Sequence, residues 1–202
     1  MSHPASLEAL GRACAATAAL VNAVQSDQWS NATPCAEWNA RALINHLVRG
    51  NRMAAALLRG EQPSRPGSTP PATAAEQLGD DPFSAYSASA SELQAAFSRP
   101  NVLDGVYQAP VGPVPGATLL DLRITELLVH GWDLAQATGQ PARLPEDLAE
   151  VELAFARGDR APRVPRTGHP FGPIQPVPDD APAIDRLAAY LGRSIPSDSG
   201  PA

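Results

Sequence analysis

Thr118–Thr138, TLLDLRITELLVHGWDLAQAT, is the stretch that decides how this chain folds. Leu119, Leu122, Ile124, Leu127, Leu128 and Val129 leave little room for a polar face, so it reads as one long, largely buried helix. Thr118 with Asp121 three positions on forms a capping-box-like start, and Gly139 with Pro141 supplies the stop. Set among the hydrocarbon side chains are Glu126, His130 and Asp133. Glu126 and His130 are four apart and therefore stack on one helix face. A carboxylate and an imidazole placed this way can hold a divalent metal. They can equally form a hydrogen-bonded pair in a core, because a buried polar group needs a partner.

Working outward, Ser6 caps a first helix to about Gln25, with Leu7, Leu10, Cys14, Thr17 or Ala18, and Val21 on one face. A loop, Trp29 to Trp38, follows; Pro34 prevents helix continuation and the two tryptophans can cover a bundle end. Asn39 caps a second helix, in which Leu43, Ile44, Leu47, Met53, Leu57 and Leu58 keep the helical period. Residues 61 to 80 read as a mobile surface connection. Asp81 as N-cap with Pro82 at the first helical position then starts a third helix, which Pro100 stops. Residues 101 to 116 suggest an extended or hairpin-like crossover. After the central helix come a further helix from Pro145 to about Arg157, a segment rich in Pro, Gly and Arg, and a short helix from Ala183 to Leu191.

Composition limits the functions open to such a chain. In 202 residues with 44% hydrophobic and only 5% aromatic, abundant Ala favours closely packed helices over a β-sandwich. The expected class is all-α: a four-helix bundle with a short C-terminal extension. Residues 1–157 form the bundle with its following helix, and residues 158–202 a Pro/Arg-rich tail whose short helix packs on it. A net charge of −6 without a basic stripe argues against nucleic acid and membrane surfaces as partners and favours a small molecule. No lysine is present, which excludes a Walker A loop, a Schiff-base lysine and pyridoxal phosphate chemistry. Cys14 and Cys35 are too far apart for a C-x-x-C motif and read as small buried hydrophobes. Neither an N-terminal basic-then-apolar segment nor a run of about 18 apolar residues occurs, so a cytoplasmic protein is expected. Ala/Leu helix faces would permit a homodimer.

A third ligand would raise the metal reading above the core pair. Facing helices of a bundle lie about 8–10 Å apart, so His46 on the second helix can reach an ion that touches Glu126 and His130. His3 and His169 fall in segments without helical pattern.

The segments WSNATPCAEWNARALINHL (Trp29–Leu47), ELLVHGWDLA (Glu126–Ala135) and FGPIQPVPDDAPAIDRLAAYLG (Phe171–Gly192) resemble the mycothiol-dependent maleylpyruvate isomerase-like family, within the DinB/YfiT-like superfamily. The resemblance spans almost the whole chain. It implies a DinB-like four-helix bundle carrying a divalent metal, usually zinc, near one bundle end, with open positions for water or a thiol. His46, Glu126 and His130 match the ligand positions one by one. The resemblance also implies mycothiol, or a similar small thiol, as the nucleophile in isomerisation or S-transfer. Maleylpyruvate isomerases carry a longer C-terminal domain than this short tail, so the metal site is implied more strongly than any particular substrate.

Two histidines and one carboxylate with vacant positions suit zinc, nickel or ferrous iron. Asp133, three residues after His130, can orient that imidazole, act as an acid-base group, or bond an arginine or loop backbone. Arg123 can bind a substrate carboxylate or pair with a helix neighbour. Trp132 can wall a cofactor pocket or sit in the core. Asn45 and Asn51 are expected on a solvated face, and Arg157, Arg160, Arg163 and Arg166 on a solvated surface. The leading expectation is a metal-dependent thiol transferase or isomerase acting on a small organic electrophile. A non-catalytic metal- or small-molecule-binding bundle, and a metal-assisted hydrolase or cyclase without thiol, are the competing ones.

Overall fold

A computed structural model describes residues 6–36, 38–61, 76–109, 112–158, 161 and 172–196. The chain runs α1 (Leu7–Asn22), α2 (Ala40–Leu58), α3 (Pro82–Phe97), a 3-10 turn (Val102–Asp104), β1 (Val106–Ala109), β2 (Gly112–Pro115), α4 (Gly116–Thr138), α5 (Glu146–Arg157) and α6 (Ala183–Tyr190). Three helix starts follow from their caps. Ser6 Oγ accepts from the Ala9 N–H at 3.1 Å, Asn39 Oδ1 from Ala42 at 2.9 Å, and Asp81 Oδ1 from Ser84 at 3.0 Å. Each such cap is worth about 1 kcal/mol.

The four longest helices close into a ring, with α2 against α3, α3 against α1, α1 against α4 and α4 against α2. The α5 and α6 helices pack on one another and together on the outer side of α4. As a result α4 is enclosed, and Ile124, Leu127, Leu128, Trp132 and Leu134 have no exposed surface. The α2 and α4 helices run antiparallel, since His46 meets Glu126 while Asn51, further along α2, meets Arg123, earlier on α4. One tight sequence, helix two against the central helix, therefore sets the candidate site.

Several details differ from the sequence-based expectation. The fold is mostly helical rather than purely all-α: β1 and β2 pair as antiparallel strands, with Val106 opposite Pro115 and Ala109 opposite Gly112. The α4 helix begins at Gly116, two residues before the expected capping box, and no side chain caps it. Gly116 N–H bonds the Gly105 carbonyl at 2.8 Å, and a Cβ on Gly116 would lie 2.1 Å from the Val102 carbonyl oxygen. The helix start is thus set by the close approach of the 3-10 turn, which only glycine permits, and Thr118 and Asp121 are buried inside the helix. Asn51 is not solvated. It has no exposed surface, donates to Ser89 Oγ at 3.1 Å and accepts from Arg123 at 2.8 Å. Asn45 is half-buried and accepts from the Gln77 N–H. Met53 keeps the helical period yet is 48% exposed. Most of the 61–80 connection, His3, His169 and Arg160, Arg163 and Arg166 lie outside the described residues.

Candidate metal centre

Three donors converge between α2 and α4. His46 Nε2 lies 3.0 Å from Glu126 Oε2, and His130 Nε2 lies 3.4 Å from the same oxygen. Ligand atoms of His46, Glu126 and His130 all fall within 4.8 Å of one another, and among the described residues no other such group of histidine, cysteine or carboxylate side chains occurs. Four ligands around zinc at about 2.0–2.1 Å are about 3.3 Å apart, so the two separations from Glu126 to the histidine nitrogens suit edges of such a tetrahedron. The trio is open on one side: the side chains of His46 and Glu126 are 31% and 24% exposed, whereas that of His130 is 6% exposed.

The chain between α1 and α2 supplies the wall over this opening. Trp38 N–H bonds the Cys35 carbonyl at 2.8 Å, Thr33 Oγ donates to the Trp38 carbonyl at 2.8 Å, and Ala40 N–H reaches the Asn31 carbonyl at 2.9 Å. Gln28 and Asn31 side chains donate to the Thr138 and Ala137 carbonyls at the end of α4. Pinned in this way, the Trp38 ring sits 4.3 Å from the His46 ring and 5.7 Å from that of His130, centre to centre. Sequence reasoning placed Trp38 only at a bundle end. The signal available was its position one residue before the Asn39 cap, which sets it about two helical turns before His46.

Burial and hydrogen bonding act on the three donors in different directions. Burial pushes Glu126 towards protonation, but hydrogen bonds from His130 and then His46 outweigh it and hold the carboxyl well below its usual range. Burial drives the His46 pKa down, and the Glu126 bond does not restore it, so this imidazole is neutral near pH 7. Burial also acts to lower His130; bonds to Asp133 and Glu126 overcome that and raise it above the ordinary histidine value.

Asp133 has no exposed surface and lies 2.9 Å from His130 Nδ1. Its oxygens also accept from Arg193 at 3.2 and 3.0 Å. It is thus enclosed behind His130 rather than turned to the opening. Trp132 also has no exposed surface, and its indole N–H donates to Asp185 at 2.7 Å, so the ring is core and Trp38 is the indole at the opening. Arg123 lies inside the bundle, 7% exposed, with Nη2 donating to Asn51; its Nε has no partner among the described residues. Burial lowers its pKa, with Glu126 the largest opposing influence. Arg123 is therefore set behind the site and not at its mouth. A separate surface cleft of about 320 Å³, lined by Ala16, Ala19, Leu20, Gln140, Pro141 and Arg143, contains none of the three donors.

Residues 10–135, which include every one of the three donors and Trp38, match the model of the mycothiol maleylpyruvate isomerase N-terminal domain. The chain belongs to this family. Among its relatives are two uncharacterized proteins of Mycobacterium tuberculosis, from strains CDC 1551 / Oshkosh and ATCC 25618 / H37Rv. Each is 38% identical over 188 residues, covering 91% of this chain and 95% of the relative. The fold is similar to the crystal structures of the mycothiol-dependent maleylpyruvate isomerase and of a histidine-to-alanine mutant of it. Both superpose with a TM-score of 0.59 over 74% of this chain and 67% of theirs, at 14% and 16% identity. As a member of the maleylpyruvate isomerase-like family the chain has enzymes among its relatives. No helix among the described residues is long and apolar enough to cross a membrane.

Proposed function

We propose that this protein is an enzyme in which His46, Glu126 and His130 hold one divalent cation, with zinc best suited and nickel or ferrous iron next. It uses a low-molecular-weight thiol, mycothiol, against a small organic electrophile, by S-transfer or isomerisation. The observation that carries this proposal is the meeting of two imidazole nitrogens at one carboxylate oxygen, open to solvent on the His46 and Glu126 side. A structural zinc site is closed by a fourth protein ligand, and the described residues offer none here. Family membership supports the thiol.

The donor chemistry fits a borderline cation, and the open side fits a ligand that is not protein. A cation in such a site, when bound, supplies Lewis acidity and lowers the pKa of a thiol or water. The chain's own residues do the rest. Glu126 stays ionised and His46 is neutral, so a cation binding at neutral pH would displace no net proton from either; the His46 Nε2 proton, which donates to Glu126, would pass to Nδ1 on ligation. Asp133 fixes the ring of His130 through Nδ1, which leaves Nε2 on the Glu126 side. Trp38 covers one flank of His46, keeping water from that face and offering an apolar surface to the organic part of a substrate.

The test is turnover of maleylpyruvate and other small electrophiles by metal-stripped and metal-loaded protein, each with and without mycothiol. The proposal expects conversion only with metal and thiol together, lost in His130→Ala. Conversion with metal alone would instead identify a hydrolase or cyclase. Metal binding without conversion of any electrophile in the panel would favour a non-catalytic bundle.

A further inference from the structure

The C-terminal segment reaches the rear of the candidate metal centre through Arg193, which lies outside both the sequence motifs and the matched residues 10–135. The α6 helix lies along α4 and grips two adjacent residues of it. At the α6 start, Asp185 accepts from the Trp132 indole at 2.7 Å. Just past the α6 end, Arg193 forks onto Asp133, Nε to Oδ1 at 3.2 Å and Nη2 to Oδ2 at 3.0 Å. The direction of Arg193 is set by the helix terminus. Gly192 N–H bonds the Ala189 carbonyl and Arg193 N–H the Ala188 carbonyl, each at 3.0 Å, with Gly192 at φ +95. This pairing is a Schellman ending, which needs a left-handed residue where glycine is the least strained choice. A Cβ on Gly192 would also lie 2.6 Å from the Gly172 nitrogen, so the same glycine lets the segment fold back against itself. Arg193 Nη1 is held in turn by the Leu191 carbonyl at 3.0 Å.

At the other end of this chain of bonds, Asp133 Oδ2 lies 2.9 Å from His130 Nδ1. A carboxylate gripped at both oxygens by a planar fork cannot rotate, so its acceptor stays aimed at Nδ1. With Nδ1 committed, the ring of His130 has its Nε2 on the Glu126 side, 3.4 Å away. Arg193 and Asp133 are 6% and 0% exposed at their side chains, which excludes water as a substitute partner.

We infer that Arg193 is a positioning residue: docking of its guanidinium on Asp133 sets the His130 imidazole for metal ligation, so the C-terminal segment and the metal centre are coupled. The inference rests on the metal reading proposed above. Coupling of this kind is reciprocal, so metal bound at the triad holds the segment down as firmly as the segment holds His130.

The experiment uses the full chain, stripped of metal and titrated with Co²⁺ by visible absorption, as wild type, Arg193→Lys and the control Asp185→Ala. Lysine keeps the charge and loses the fork. The control loosens α6 from Trp132 without touching Asp133. Hydrogen exchange of residues 183–195 is followed with and without Co²⁺, and circular dichroism checks each fold. The expected result is a Co²⁺ affinity about 10- to 100-fold weaker in Arg193→Lys, against a change of about twofold or less in Asp185→Ala. Co²⁺ should slow exchange of residues 183–195 in wild type. A folded Arg193→Lys that binds Co²⁺ as wild type does, an equal loss in Asp185→Ala, or wild-type exchange in this segment indifferent to Co²⁺ would each overturn the inference while leaving the metal site standing. Should Arg193→Lys not fold, the wild-type exchange measurement decides alone. Wild-type protein that binds no Co²⁺ would overturn the metal reading and this inference with it.

Discussion

Gly50 lies in the interior of α2, where alanine would ordinarily stabilise the helix by about 1 kcal/mol. In this protein Gly50→Ala should do the opposite. A Cβ at this position would lie 2.6 Å from Arg123 Nη1 and 3.1 Å from both Cζ and Nη2. The guanidinium cannot swing into solvent, because it is buried and held by Asn51 at 2.8 Å. Overpacking costs about 1–3 kcal/mol, and a lost hydrogen bond to a charged group about 1.5–3 kcal/mol. Against the gain in helix propensity, the net is a destabilisation of about 3 kcal/mol. For a chain of this size that lowers the thermal midpoint by about 6–12 °C. Thermal and urea unfolding of metal-free Gly50→Ala measure it directly. In an Arg123→Met background, where the flexible apolar chain can yield, the same Gly50→Ala change should cost less by about 1 kcal/mol or more. A Gly50→Ala protein more stable than wild type would refute the reasoning, since it would mean that the Arg123 guanidinium gives way freely and Asn51 does not fix it.

Two further predictions concern titration. Because hydrogen bonds to Asp133 and Glu126 raise the His130 pKa despite its burial, metal binding at pH 6 must displace a proton from this ring. Calorimetry in buffers of different ionisation enthalpy should show release of about one proton at pH 6, diminishing as pH rises through the raised pKa; no buffer dependence at pH 6 would contradict this. The same shifts give the metal-free protein a stability window. The contribution of His130 is complete below the unfolded histidine value of about 6.5 and lost as pH rises through its higher folded value, while that of Glu126 is present above about 4.3 and lost only as pH falls through its depressed folded value. The stability of stripped protein, measured by unfolding across pH 4–8, should fall at the alkaline end, and added zinc should remove that fall. Finally, burial pushes the Cys14 thiol to about 11, so at pH 8 it should resist alkylation in the native state and react on unfolding, as read by mass spectrometry. Native modification of Cys14 at the rate of a free thiol would contradict its placement.

What could be read from the sequence was what local chemistry decides. Ser6, Asn39 and Asp81 announce their helices because a cap acts within three residues. Glu126 and His130 share a face because the helical period requires it. His46 could be named once the second helix was assigned, since it was the remaining histidine in a helical pattern, and the fold brings it to Glu126. Features set by distant partners were not legible. Asn51 looked like part of a solvated face because Ser89 and Arg123, which bury it, come from α3 and α4. The start of α4 is not legible in the Thr118–Asp121 spacing, because the 3-10 turn that presses on Gly116 is a tertiary neighbour. Sequence does not separate Trp132 from Trp38 as core and opening, because the Trp132 N–H is taken by Asp185 from the distant α6. Arg193 carries no motif, because it follows the last helix in a tail of Pro, Gly and Ser. The one available signal was its place after Leu191-Gly192, a helix ending that aims the next side chain.

The central claim is that His46, Glu126 and His130 hold a metal, and elemental analysis of protein purified without an affinity tag or added metal tests it most directly. Wild type, His46→Ala, Glu126→Gln and His130→Ala should be analysed side by side, each checked for helical content. The account predicts about one zinc, nickel or iron per wild-type chain, lost in each folded variant. Wild-type protein that is metal-free and cannot be loaded would contradict it, and the three side chains would then be a hydrogen-bonded core network.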